Sequence, residues 1–118
     1  MAIPLDITFK GIDPSPAVEA RVRERTARLE RFHPRIGHCT AVVEAPHRHQ
    51  HKGRIYSIRL DVRVPGGDIV VNREPGQDHA HEDIMVAVRD AFDAMERQLE
   101  DRARRQRGDV KTHAERGE

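Results

Sequence analysis

The side chains with the clearest chemistry in this sequence are its basic residues, which concentrate in three segments. Residues 17–33, 47–63 and 97–111 each carry more Arg and Lys than Asp and Glu, whereas the acids concentrate in residues 68–96. A formal net charge of +1 therefore hides locally basic segments. Most of the cations are arginines, whose planar guanidinium binds phosphate through paired donors and stacks on bases. If folding brings these segments together, they form a surface that attracts polyanions, with RNA as the leading candidate.

Ten basic residues are our candidates for contact with RNA. They are Lys10, Arg21, Arg25, Arg28, Arg59, Arg63, Arg97, Arg102, Arg104 and Arg105. On a helix, Arg21, Arg25 and Arg28 fall on one strip about a turn apart, and we expect them to face solvent. The alternative for this strip is a solvated face of ion pairs, such as one between Glu24 and Arg28.

The remaining candidates fall into two groups. Arg97 and the four arginines within residues 102–107 lie toward the end of a predicted helix, where the macrodipole favours cations but explains only one or two of them. We therefore favour a phosphate site there. Lys10, Arg59 and Arg63 share the exposed face of a predicted sheet, where Asp61 and Glu44 make cross-strand ion pairs a nearly equal alternative.

A histidine cluster offers a different chemistry. In an extended segment, His47, His49 and His51 point to one side, as ligands of Zn or Ni would, and two more histidines lie in residues 79–81. Against metal, such sites usually recruit Cys or a carboxylate. The cluster also suits a cationic RNA contact that strengthens as pH falls. We expect no bound metal and no cofactor.

The sequence shows no catalytic constellation. Cys39 has no helix N-terminus to activate its thiol, and Asp90, Asp93 and Glu96 spread along a predicted helix instead of meeting in a pocket. No glycine-rich phosphate loop is present. We therefore predict a binding protein and not an enzyme.

Four predicted strands position part of the basic set. Apolar and polar residues alternate in residues 5–10 and most clearly in 56–64, which predicts half-buried strands. Residues 38–45, rich in Val and Thr, and residues 68–73 predict two more. The Pro-Gly-Gly sequence at 65–67 predicts a tight hairpin between the last two.

Two predicted helices carry the other arginines. Ser15 is a typical N-cap and is followed by proline, so a helix is predicted over residues 17–33, ended by Pro34. Apolar residues spaced by three, four and seven predict a second helix over about residues 82–107, with Gly108 as its stop.

The order β-α-β-β-β-α predicts an α+β fold, a four-stranded sheet with two helices packed on one face. The other sheet face, bearing Lys10, Arg59 and Arg63, is left to solvent or a partner. We expect one domain over residues 1–108, followed by a polar, disordered tail over 109–118.

Composition narrows the class further. The chain has 118 residues and a single cysteine, so no intrachain disulfide is possible and the cytoplasm is the expected compartment. No apolar run reaches the length of a signal segment or a membrane span. Trp is absent and aromatic residues make up 3%, which argues against recognition of single strands by stacking.

Several local blocks, in this order of elements, resemble one known family. They are the Pro65-Gly66-Gly67-Asp68-Ile69 hairpin, the helix Asp83-Ile84-Met85-Val86-Ala87-Val88-Arg89-Asp90 and the helix end Arg28-Leu29-Glu30-Arg31-Phe32. Over roughly residues 3–107 the chain resembles the hibernation-promoting factor and ribosome-associated translation inhibitor family.

The resemblance implies a bacterial protein that binds the small ribosomal subunit and its ribosomal RNA in the channel for messenger and transfer RNA. It implies inhibition of translation in stress or stationary phase, by a short form without a dimerisation domain, acting as a monomer on the ribosome. Neither a membrane nor DNA is an expected partner. Residues matching Arg25 and Arg28 are typically basic in the family, which supports RNA contact there.

Two departures indicate a subgroup. Met85 stands where the family often has Tyr, and the histidines in 47–51 and 79–81 are additions to the common pattern. The alternative functions are a His-rich metal-binding module and a homo-oligomeric module that uses the open sheet face. Other RNA-binding folds fit less well: a double-stranded RNA domain lacks the first strand, and an RNA-recognition motif needs aromatics on its central strands.

Overall fold

The computed structural model of the chain describes residues 3–45, 56–73 and 83–116, with backbone alone at Arg73 and beyond Gln106. The predicted order of elements is confirmed. The elements are β1 (Leu5–Lys10), α1 (Pro16–Arg28), a 3-10 turn (Leu29–Arg31), β2 (His38–Glu44), β3 (Ser57–Val64), β4 (Gly67–Arg73) and α2 (Ile84–Arg116).

The four strands form one mixed sheet in the order β1-β2-β3-β4. β1 pairs parallel with β2, because α1 carries the chain back between them, and the other two pairs are antiparallel. The alternation predicted for β3 is confirmed, since Ile58, Leu60 and Val62 are fully buried while Arg59 and Arg63 are exposed. Sequence alternation thus determines which sheet face enters the core.

Both helices cover the inner sheet face with apolar stripes. Ser15 is the N-cap of α1, accepting a hydrogen bond from the Val18 N–H at 3.3 Å, with proline in the first turn. The buried side chains of the two stripes are Val18, Val22 and Leu29 from α1 and the 3-10 turn, and Val88, Phe92, Met95 and Leu99 from α2. The predicted α+β fold is therefore confirmed.

Both helices end differently from the prediction. α1 stops at Arg28 and a 3-10 turn follows, because a tighter turn ends the helix before the residue that precedes Pro34. α2 begins at Ile84 and continues through Gly108 to Arg116, so the predicted stop at Gly108 is wrong. One glycine costs a helix only about 1 kcal/mol, and no proline follows it. The expected boundary between a domain over residues 1–108 and a disordered tail over 109–118 stays a prediction.

One glycine is required by the packing of the strands. Gly11 follows β1 with φ +79°, and a Cβ atom there would lie 2.5 Å from the Ala45 carbonyl oxygen. The Ala45 N–H donates to the Lys10 carbonyl at 3.0 Å, which holds the ends of β1 and β2 together.

Across the described parts of the chain, no helix combines the length and the apolar character that crossing a membrane requires.

Candidate nucleic-acid interface

The outer sheet face carries three of the predicted RNA-contact residues, and all three are exposed as expected. They are Lys10, Arg59 and Arg63. Four carboxylates share this face. They are Asp6, Glu44, Asp61 and Asp68. Lys10 is in register with Glu44, and Arg63 Nε lies 3.3 Å from Asp68 Oδ1. The outer sheet face is therefore of mixed charge, as the cross-strand alternative expects.

The basic segments do not all meet on one surface. Arg59 and Arg63 lie on the sheet face opposite the helices, whereas the arginines of α1 and α2 lie on the helical side. The basic residues of 47–55 fall outside the described residues, as do His47, His49 and His51.

Arg25 is placed differently from the prediction, which had it facing solvent. It is only 8% exposed, and its Nη2 donates to Asp93 Oδ1 at 2.8 Å and to Glu96 Oε2 at 3.0 Å. Its guanidinium also lies 5.6 Å from the centroid of the Phe92 ring. Burial lowers the pKa of Arg25, but the hydrogen bonds with the two carboxylates outweigh this effect and raise the pKa. Arg25 therefore joins α1 to α2 and is not free to bind phosphate.

Arg28 is shared between this interface and solvent. Its Nε lies 3.3 Å from Glu96 Oε2, and its side chain remains 44% exposed. Glu96 is itself buried between Arg25 and Arg28. We call Arg25, Arg28, Asp93 and Glu96 the interhelical ion network. It fixes the position of α1 on α2 and leaves part of Arg28 available.

Contacts along the interface show that α1 and α2 run parallel. Arg25 meets Glu96, and His33, beyond the end of α1, has Arg102 and Gln106 as neighbours. Residue numbers thus rise together along both helices. Arginines that follow α1 and those in the second half of α2 therefore lie toward the same end of the molecule.

The helical side carries arginines of two kinds. Arg21 pairs with Glu24 at 3.2 Å and Arg104 with Asp101 at 2.8 Å, so both candidates share their charge with a neighbour. The second kind makes no ion pair with any carboxylate in the described part of the chain. We call this second set the free arginines: Arg31, Arg35, Arg97, Arg102 and Arg105. Three of them were predicted from the sequence as RNA contacts.

The other two were missed. Arg31 was counted in the basic helix but not among the candidates, and Arg35 follows the helix-ending proline, where no periodicity marked it. Both are exposed. Their position in the sequence could have identified them, because cations at and just beyond a helix C-terminus lie where the helix dipole is negative.

His33 lies buried among these arginines. It is 2% exposed, and its Nδ1 accepts the Arg35 N–H at 3.1 Å, so any proton on the neutral ring belongs on Nε2. Gln106 neighbours the ring, yet Nε2 has no partner within hydrogen-bonding geometry among the described residues. Burial lowers the pKa of His33, with the charges of Arg102 and Arg35 adding to the effect. The imidazole therefore fills the helix end as a neutral group.

No nucleophile or metal site competes with this surface in the described residues. Burial raises the pKa of Cys39 to about 11, although Thr26 contacts its sulfur and opposes the shift. Such a thiol stays protonated at neutral pH. Among the residues with described positions, no cluster of three or more His, Cys, Asp or Glu side chains forms that could hold a metal ion.

Comparison with known proteins gives one family and a set of structural neighbours. The model of the family described as sigma 54 modulation protein / S30EA ribosomal protein matches residues 5–107. The N-terminal domain of Protein Y from Thermus thermophilus superimposes with a TM-score of 0.58 at 22% identity, covering 85% of this chain and 97% of that one. A ribosomal subunit interface protein from Coxiella burnetii gives a TM-score of 0.62 at 19% identity, covering 82% and 93%. At these identities the two structures support the fold. No curated protein matches the chain.

Proposed function

This chain belongs to the sigma 54 modulation protein / S30EA ribosomal protein family, which confirms the resemblance found in the sequence, and from that membership we propose that it is a ribosome hibernation factor. It binds the small ribosomal subunit in the channel for messenger and transfer RNA. There it contacts ribosomal RNA and blocks translation under stress. It acts as a monomer in the cytoplasm and needs no cofactor.

The observation that carries the proposal is that the helical side has arginines without a carboxylate partner among the described residues. The free arginines keep their donors for a partner, while most neighbouring cations are neutralised within the fold. Guanidinium groups without a carboxylate partner bind phosphate without first breaking an ion pair. Their gathering toward one end of the molecule suits a folded RNA, whose backbone presents phosphates at close spacing.

The proposed mechanism is occupancy and requires no bond to form or break. A domain wedged in the channel excludes messenger RNA and tRNA by its volume, and its charge holds it there. The interhelical ion network contributes rigidity, since it fixes α1, which Arg31 and Arg35 follow, on α2, which carries the other free arginines. RNA is the proposed ligand and DNA is not, because the family to which the chain belongs is a ribosomal one.

The proposal is tested by sedimentation with purified ribosomal subunits and by cell-free translation. We expect the protein to pellet with the small subunit and not with the large one, and to inhibit translation in proportion to occupancy. Exchanging Arg31 and Arg97 together for Glu should abolish both effects. Lys10→Glu with Arg59→Glu is the matched control, because it makes the same change of charge on the outer sheet face, and it should retain both. Failure of the parent protein to pellet with the small subunit at low salt would overturn the proposal.

A further inference from the structure

A cleft of about 250 Å³ lies between β4 and the second half of α2. Its helical wall consists of Gln98, Asp101, Arg102 and Arg105, whose spacing of three, four and seven places them on one strip of the helix. Its other wall is the segment 68–70 of β4, which is an edge strand of the sheet. Two of the free arginines therefore line a concave site and are not merely spread over a surface.

The charged side chains that line the cleft are two arginines and two carboxylates. Its two carboxylates are already engaged, since Asp68 Oδ1 lies 3.3 Å from Arg63 Nε and Asp101 Oδ1 lies 2.8 Å from Arg104 Nη2. Arg102 and Arg105 make no close ion pair with a carboxylate among the described residues, and the charge of Arg105 adds to the hydrogen bond from Arg104 in lowering the pKa of Asp101. An anion that enters the cleft therefore meets two guanidinium groups whose donors are not occupied by a carboxylate.

The strand wall adds backbone groups at the edge of the sheet. Val70 lines the cleft, but it is in register with Asp61 of β3, so its side chain, 41% exposed, lies on the outer sheet face. Among the described strands β4 pairs with β3 alone, so the backbone groups on its other edge have no strand partner there. Gln98 contributes an amide that both donates and accepts. The cleft thus combines phosphate donors with groups that can bond the polar edge of a base.

We propose that this cleft binds a single unstacked nucleotide, a nucleoside 5′-phosphate. Arg102 and Arg105 hold the phosphate, and Gln98 and the β4 backbone bond the base edge. The proposal deepens the ribosome-binding function above and rests on it where the nucleotide belongs to ribosomal RNA. A free mononucleotide has the same chemistry, and the test separates the two sources.

The first arm is an NMR titration of the full chain with the four nucleoside 5′-monophosphates, ribose 5-phosphate and inorganic phosphate. We expect the side-chain signals of Gln98, Arg102 and Arg105 to shift, with a nucleotide at least about tenfold tighter than inorganic phosphate. Arg102→Gln and Arg105→Gln should each weaken nucleotide binding about five- to tenfold. Arg59→Gln, on the outer sheet face and outside the cleft, is the control and should change binding less than twofold. Gln98→Leu should reduce discrimination among bases while phosphate binding persists.

Three outcomes of this arm overturn the proposal. The first is equal affinity for nucleotides and inorganic phosphate, and the second is a shift spread over all arginines, including Arg59. The third is saturation of the cleft by an acidic peptide, in place of any nucleotide, with protection of the β4 amides. That result would make β4 a site for strand addition.

The second arm identifies the source and separates this proposal from the proposed function. A photoreactive side chain at position 101, which lines the cleft on α2, should cross-link to ribosomal RNA in the bound complex, which supports an RNA nucleotide. No cross-link, with nucleotide binding retained in solution, supports a free mononucleotide. If the parent protein does not bind ribosomes, the proposed function is overturned, and nucleotide binding in the cleft remains a separate result. Intact ribosome binding without nucleotide binding or cross-link overturns the cleft proposal alone.

Discussion

Arg25 and Arg21 lie one turn apart on α1, yet they have opposite surroundings. Arg21 is exposed beside Glu24, while Arg25 is buried against Asp93 and Glu96 of α2. Removing Arg25 leaves Glu96 buried with Arg28 as its remaining partner, and a buried carboxylate that loses a partner costs more than the lost attraction itself. Stability therefore depends on Arg25 far more than on its neighbour.

We predict that Arg25→Met lowers the free energy of unfolding by about 3 kcal/mol, because Glu96 stays buried and loses a partner. Arg21→Met, at an exposed pair, should change it by no more than about 0.5 kcal/mol. Urea denaturation of both variants provides the measurement. Adding Glu96→Leu to Arg25→Met should recover much of the loss, and equal effects of the two single variants would contradict the burial of Arg25.

His33 makes stability depend on pH. Its pKa lies below the ordinary value of 6.5 in the folded protein because the ring is buried, so the unfolded chain binds the proton more readily. The stabilisation is therefore complete above the unfolded pKa and is lost as pH falls through the folded pKa. We predict that the stability difference between the parent and His33→Gln shrinks between pH 7.5 and 5.5, as seen in urea titrations. A difference that is constant or grows on acidification would show that the ring is not buried as a neutral group.

At the scale of elements, β3 shows how firmly alternation orients a strand. Leu60 is fully buried under the helices, and its neighbour Arg59 is exposed on the outer sheet face. We predict that Leu60→Ala costs about 2–5 kcal/mol by leaving a cavity, whereas Arg59→Ala stays within about 0.5 kcal/mol. Thermal midpoints of the two variants check this pair. An unchanged midpoint for Leu60→Ala would mean that the two faces are inverted.

The junction of β1 and β2 depends on one residue without a side chain. Gly11→Ala forces a Cβ atom against the Ala45 carbonyl oxygen in addition to a positive φ. Gly66→Ala, also at positive φ, has no atom within 4 Å of the new Cβ. We predict a loss of about 1–2 kcal/mol for Gly66→Ala from backbone strain alone, and a clearly larger loss for Gly11→Ala. Chemical denaturation of both variants measures the two losses of unfolding free energy. Equal losses would show that the structure relaxes around the contact with Ala45.

The sequence predicted elements well and contacts between elements poorly. Periodicity is a local property, so the alternation around Leu60 and the cap at Ser15 were readable without any knowledge of the fold. The environment of Arg25 was not, because it depends on Asp93 and Glu96, which lie far along the chain and meet α1 only through packing. The cleft beside β4 was equally hidden, since its two walls come from separate elements. Arg102 and Arg105 were candidates by composition, but their concave setting required the structure.

At the scale of the whole molecule, the two faces differ in how their charge is compensated. The outer sheet face mixes basic and acidic side chains, while the helical side retains the free arginines. The proposed orientation on the ribosome therefore has the helices toward RNA. The outer sheet face then remains accessible or contacts another component.

Binding to the small subunit should fall steeply with salt, because each neutralised phosphate releases counterions. We predict that Arg31→Gln with Arg35→Gln weakens binding and lowers the slope of log K against log salt by about 1–2. Filter binding or sedimentation at several salt concentrations measures the slope. Lys10→Gln with Arg59→Gln removes the same charge from the opposite face and should leave the slope unchanged. The reverse result would assign RNA contact to the sheet.

The parallel pairing of β1 with β2 also has a consequence for how the chain reaches this fold. β3 and β4 are joined by a two-residue turn and can pair locally within microseconds. Leu5 of β1 pairs with Cys39 of β2, which follows the whole of α1 in the chain, so β1 can pair only after those residues are in place. As the chain is synthesised, its first strand therefore emerges early yet has no neighbour to join. Closing this long loop has a large entropic cost, so the edge that is made first is the one we expect to dock late, onto a sheet begun by residues translated after it.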